Sequence, residues 1–212
     1  MSNTSRRALI VIDVQNEYDS GNLPIEYPDV RSSLKNIGIA MDAARGASIP
    51  VVVVQHYAPP GAPLFAKGSR GWELHEVVAS RKHDHYLEKT LPSAFSGTGL
   101  ADWIAANNID TLTLVGYMTH NCVFSTANHA LHSGLAVEVL YDATGAVPYA
   151  NSAGAASAEE IHRVFSTVFQ SRFAAVLNTD EWVDVIRTSG LPERDSIFKS
   201  NQRARVAPGK AA

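Results

Sequence analysis

The sequence predicts an α/β fold in three layers, a central and mostly parallel β-sheet flanked by helices, on three observations. Five short runs, at 8–14, 51–56, 111–116, 135–141 and 174–178, are apolar and largely β-branched, as strands covered on both faces are. Helical segments at about 30–47, 99–107, 121–133 and 158–172 fall between those runs, so strand and helix alternate. The 212 residues, 45% of them hydrophobic, can fill one sizeable core, which sets a single domain over 1–190.

Taken in order, the first apolar run ends on an acid, Asp13. The helix that follows is expected to exit at Gly46, with Pro50 beyond it. After the second strand, residues 57–71 carry Pro59, Pro60, Gly61, Pro63, Gly68 and Gly71. That loop is too long for a plain connector and is expected to lie over a functional site. Tyr86-Leu87-Glu88-Lys89 reads as a short strand-like stretch. Ser157 with Glu160 forms a capping-box pattern, and Thr179 before Asp180, Glu181 and Trp182 is a further helix start. Beyond Gly190, Arg194, Lys199, Arg203, Arg205 and Lys210 face only Glu193 and Asp195, so 191–212 is expected to be a weakly ordered, polar, basic tail, solvated or clasping a neighbouring subunit.

Composition excludes some partners. With 18 Lys+Arg against 21 Asp+Glu, the net charge of −3 provides no broad positive field for nucleic acid or an anionic membrane. A small-molecule partner is favoured. No apolar run approaches the roughly 20 residues of a membrane span, and a cytoplasmic location is expected. The single cysteine, Cys122, cannot form an internal disulfide or a thiolate cluster, which leaves it as buried filler, redox sensor or nucleophile. The first strand leads into Val14-Gln15-Asn16-Glu17-Tyr18 rather than a glycine-rich phosphate loop, so the signature of a nucleotide-binding domain is missing.

Three residues could carry chemistry. Cys122 follows a strand and a tight segment, 116–121, and is placed at the first turn of a helix above the sheet's carboxyl edge. Helix N-terminal N–H groups there are expected to lower the thiol pKa and could hold an oxyanion. Asp13 lies where open α/β sheets bind ligands, and either caps the turn after its strand or serves the thiol as a base. Lys89 is either a solvated charge or, buried beside Asp13, a fixed cation for thiolate and oxyanion.

Three segments, in order, resemble those of the isochorismatase-like cysteine hydrolases. Ala8-Leu9-Ile10-Val11-Ile12-Asp13-Val14-Gln15-Asn16 is similar to the family's first-strand motif. Glu88-Lys89-Thr90, with Ser93-Ala94-Phe95, Gly97-Thr98 and Leu100, resembles its lysine segment, and Gly116-Tyr117-Met118-Thr119-His120-Asn121-Cys122-Val123 its nucleophile motif. The likeness runs from about 8 to 182. It implies a triad of Asp13, Lys89 and Cys122, a cis peptide at Tyr117-Met118, and oxyanion donors at the Met118 and Cys122 N–H groups. It also implies hydrolysis of a small amide, carbamoyl or cyclic amide substrate through a thioester, with vinyl-ether hydrolysis of the isochorismatase type as the alternative, and assembly into dimers or tetramers.

The Asp-x-His pair by which nicotinamidases of this family bind metal is replaced here by Gln55-His56-Tyr57-Ala58-Pro59. His83 and His85 flank Asp84, and His129 and His132 lie one turn apart, but neither pair has an evident third ligand. No metal or other cofactor is therefore expected. Gln15, His56, Trp72, Phe95, Tyr117 and His120 are expected to wall the substrate pocket.

Overall fold

The structure is a computed structural model that describes residues 5–206. Six strands form one sheet in the order β3-β2-β1-β4-β5-β8: β1 (Arg7–Ile12), β2 (Val51–His56), β3 (His85–Lys89), β4 (Thr111–Tyr117), β5 (Ala136–Gly145) and β8 (Ala175–Leu177). Every neighbouring pair is parallel. Two more strands, β6 (Tyr149–Asn151) and β7 (Gly154–Ala156), make a separate antiparallel hairpin.

Alternation along the strands creates two cores. Leu9, Val11, Val51, Val53 and Val115 point to one face, where α1 (Val30–Gly46) and α6 (Thr179–Arg187) cover them. Ile10, Ile12, Val52, Val54, Leu112 and Leu114 point to the other, under α3 (Leu100–Ala106) and α4 (Phe124–His132). Both faces are dry, which is why β1 and β2 read as unbroken apolar runs. The remaining helices are α2 (Glu76–Ala79), α5 (Ala158–Val168) and α7 (Ile197–Val206).

Connectivity decides where a site can form. From β1 the chain builds outward through β2 to β3, then returns to place β4 on the other side of β1 and continues to β5 and β8. The winding direction reverses between β1 and β4, and crevices in open parallel sheets open at the carboxyl ends of such a pair. Asp13 follows β1, and the segment leading to Cys122 follows β4.

One expectation is met and one changes. The helix expected at Thr179 starts there, with Asn178 before it accepting from the Glu181 N–H in a full capping box. The tail expected to be weakly ordered forms α7, where the Ser196 hydroxyl accepts from the Lys199 N–H and Arg203 pairs with Asp195. These local side-chain bonds supply a helix start that its weakly apolar sequence did not advertise. Residues 207–212, including Lys210, lie outside the described region.

Candidate active site

β1 ends at the switch point with Asp13 in a left-handed conformation, φ 52°. Few non-glycine residues sit there without a structural or functional reason. The Asp13 N–H donates to the Val54 carbonyl (2.8 Å), which fixes the residue beside the end of β2. On the other side, β4 approaches β1 closely at Gly116: a Cβ there would lie 2.0 Å from the Ile12 carbonyl oxygen, and φ is +105°. Only glycine permits this approach. The β4–β5 register shifts at the same point, and the Tyr117-Met118 peptide that follows is cis.

The chain then turns through a π-helical segment, Thr119–Val123, before α4. Cys122 lies inside this wide turn, whereas the sequence placed it at the start of an ordinary α-helix. Among the described residues no acceptor is found for the Met118 N–H, while the Met118 carbonyl accepts from Asn121 and Val123.

Lys89 arrives from the edge strand. It closes β3 opposite His56 of β2, and its side chain reaches over the end of β2 toward β1. Its Nζ lies 2.6 Å from Asp13 Oδ2, 3.3 Å from Cys122 Sγ and 3.5 Å from His56 Nδ1. The Asp13 and Lys89 side chains are fully buried, and Cys122 is 5% exposed. Despite the short ionic contact, neither Asp13 oxygen has a hydrogen-bond partner of good geometry. The carboxylate is held by the Lys89 charge at an off-axis angle, and the Cys122 thiol is its other polar neighbour.

The electrostatics correct one expectation. Burial pushes the Cys122 thiol well above its ordinary range, Asp13 adds to the rise, and Lys89 only partly opposes both. Position near a helix start does not make this cysteine a resting thiolate. For Lys89, burial disfavours the charged form, but Asp13 and then Cys122 more than offset it and leave the pKa raised. Enclosure thus favours the protonated thiol, and the charged form of Lys89 is held beside it. Burial also lowers the pKa of His56, with Asp13 opposing and Lys89 adding to the effect.

The expected pocket residues separate into two groups. His56 lies beside Lys89, and His120, two residues before Cys122 in the π-helical turn, packs against Tyr149 and Phe165. Trp72 is partly buried, with its carbonyl tied to Gln15 and Gln55. The other three do not wall a pocket. Gln15 is 1% exposed, and its amide is used up by the His56 N–H, the His56 carbonyl and the Trp72 carbonyl, so it clamps the loop. Tyr117 turns into the core under α1, where its hydroxyl meets Ser33 at 2.6 Å. Phe95 is buried against His129, stacked at 4.5 Å. In the last two, apolar burial won over proximity in sequence.

Several contributors escaped the sequence reading. Buried Tyr18 packs on Tyr117 and Phe65, and its pKa is raised, chiefly by burial. Glu17, also buried, accepts from the Asn22 N–H (2.5 Å) and the Phe65 N–H (3.2 Å), pinning the 57–71 loop so that Phe65 meets His56 edge-on. A Cβ on Gly71 would stand 2.2 Å from the Glu17 carboxylate. Tyr149 extends from the hairpin to His120. Nothing in the spacing of these residues marks them out. Among the described residues, no three His, Cys, Asp or Glu side chains converge in a metal-binding arrangement, and no helix is long and apolar enough to cross a membrane.

Comparison with known proteins bears on the family and the fold. The Isochorismatase domain pattern matches residues 7–181. A Burkholderia xenovorans LB400 protein, provisionally described as an isochorismatase, has a crystal structure that superposes with a TM-score of 0.95 at 68% identity, covering 96% of this chain and 98% of that one. A secreted isochorismatase effector of Verticillium dahliae is 32% identical over 175 residues, 81% of this chain and 91% of its own. N-carbamoylsarcosine amidase from Thermoplasma acidophilum superposes with a TM-score of 0.69 at 27% identity, covering 82% of this chain and 97% of that one. The sheet order, the matched span and these relatives together establish that the chain belongs to the isochorismatase family of hydrolases.

Proposed function

We propose that the protein is a cysteine hydrolase that cleaves a carbon–nitrogen bond of a small amide, carbamoyl or cyclic amide substrate through a thioester on Cys122. One observation carries this reading: Lys89 Nζ lies 2.6 Å from Asp13 and 3.3 Å from Cys122 Sγ, so residues remote in sequence converge in a buried site. An amidase with the same fold adds support.

The charge state sets the order of events. A protonated, buried thiol is a poor nucleophile until its proton leaves, and Asp13 is the base adjacent to it. As the Sγ–C bond forms, Asp13 takes the thiol proton and the substrate oxygen becomes an oxyanion. The Met118 and Cys122 N–H groups are assigned as its donors, with Lys89 supplying positive charge nearby. Collapse breaks the C–N bond, and Asp13 returns its proton to the leaving nitrogen. Water then attacks the thioester, again with Asp13 as base, and restores the thiol.

A panel of primary amides, carbamoyl compounds and cyclic amides, assayed for ammonia, amine or ring-opened product, tests the reading. At least one member is turned over by the wild type, and Cys122→Ala abolishes that turnover while retaining the native circular dichroism spectrum. Undiminished turnover by Cys122→Ala sinks the nucleophile assignment. Inertness toward every class on the panel sinks the amide reading.

A further inference from the structure

His120 is unusual among the eight histidines. Both ring nitrogens are buried, and neither has a hydrogen-bond partner. Native proteins rarely leave such atoms unsatisfied, and a group that is orphaned without ligand is a candidate to bind one. The ring sits two residues from Cys122 in the π-turn, between Tyr149 (edge-on, 5.0 Å) and Phe165 (6.0 Å). Tyr149 belongs to the β6–β7 hairpin, so the imidazole is packed between that hairpin and α5. His162 on α5, whose Nδ1 meets the Thr119 hydroxyl at 3.0 Å, is by contrast satisfied.

The chemistry offered is neutral. Burial lowers the His120 pKa to about 4, so at neutral pH the ring presents one donor and one acceptor. Lys89, the cation beside Cys122, is already paired with Asp13 at 2.6 Å, and Lys67, over the Tyr57 and Trp72 rings, is paired with Glu88 at 2.8 Å. A substrate carboxylate would enter without a free counter-charge and lose its hydration. A planar, uncharged group would lie between aromatic walls and hydrogen-bond to the imidazole.

We infer that His120 is the specificity-determining residue of the site, hydrogen-bonding an uncharged, planar amide substrate and selecting against amides that carry a carboxylate. The inference rests on the amide-hydrolase reading for its substrate, but it makes a separate claim about binding.

The test uses full-length Cys122→Ala protein, which removes turnover, and two probes of one shape, benzamide and 4-carbamoylbenzoate. Calorimetry should show benzamide binding at least about tenfold more tightly than the carboxylate. Adding His120→Phe, which keeps an aromatic ring but removes both nitrogens, should weaken benzamide by about tenfold, and His120→Gln should recover part of the loss. Circular dichroism of each variant separates misfolding from lost recognition. Equal affinity for the two probes, undiminished benzamide binding by the folded Phe variant, or no benzamide binding overturns the inference. Selective binding with no ammonia released by wild type sinks the hydrolase reading alone. Ammonia release with no selectivity sinks the inference alone.

Discussion

Strand β1 begins and ends in a buried ion pair, and the two pairs are built differently. At its start, Arg7 meets Glu138, whose Oε1 accepts from Arg7 Nη2 (2.9 Å) and Nε (3.1 Å), while Oε2 accepts from Thr113 (2.7 Å) and Trp182 (3.0 Å). Every lone pair that geometry allows is engaged. Just past its end, Asp13 meets Lys89 at 2.6 Å, yet neither carboxylate oxygen has a well-aligned hydrogen bond. The same charges are buried in the same sheet to similar depth. The Glu138 carboxylate is tied only to groups that hold the fold, whereas the Asp13 carboxylate faces a lysine that also reaches the thiol.

That contrast is open to experiment, and the largest effect should fall on catalysis. Asp13→Asn removes the base and should lower kcat by about 10²–10⁴-fold, measured as ammonia release, whereas Glu138→Gln should leave kcat unchanged. A comparable catalytic loss in both variants would erase the distinction. The next effect is on stability. Breaking either buried pair from one side should cost about 3–5 kcal/mol in urea unfolding, because each strands a buried cation. Glu138→Gln should therefore give a weaker protein with intact chemistry.

Smaller effects appear in the pH dependence of stability. Lys89 has a raised pKa, so its contribution is whole below its ordinary value of 10.5 and is lost as pH climbs through the higher folded value. Denaturant unfolding above pH 10.5, up to the folded value, should show a slope that Lys89→Met flattens. His120 and His162 act at the other end. Burial depresses both to about 4, with the Tyr141 backbone opposing and His120 adding slightly in the case of His162. The unfolded chain binds their protons first, so their contribution is whole above about 6.5 and declines as pH falls toward 4. His162→Gln should shallow that acid slope.

The fold was legible wherever hydrophobic burial acts on a whole element. The 51–56 run coincides with β2 because both its faces are covered, and the Ser157–Glu160 box starts α5 as expected. The β6–β7 hairpin was not legible, since its exposed residues carry no apolar alternation and 153–158 reads only as a run of small residues. At the site, Asp13, Lys89 and Cys122 were visible as motifs, and the structure brings them within bonding reach of one another. Their surroundings were not. Whether Tyr117 faces a pocket or Ser33 depends on a rotamer set by α1 packing, and the pinning of the loop by Glu17 depends on contacts 48 residues apart. The thiol's raised pKa follows from enclosure beside Asp13, a three-dimensional fact that overrides the helix-start argument.

Covalent participation of Cys122 is the claim on which the rest depends, and intact-protein mass spectrometry of enzyme quenched during turnover tests it directly. For an amide that the product assay identifies, the account predicts an added acyl mass that peptide mapping places on Cys122 and that Cys122→Ala lacks. An acyl mass on another residue, or undiminished turnover by Cys122→Ala, would contradict it.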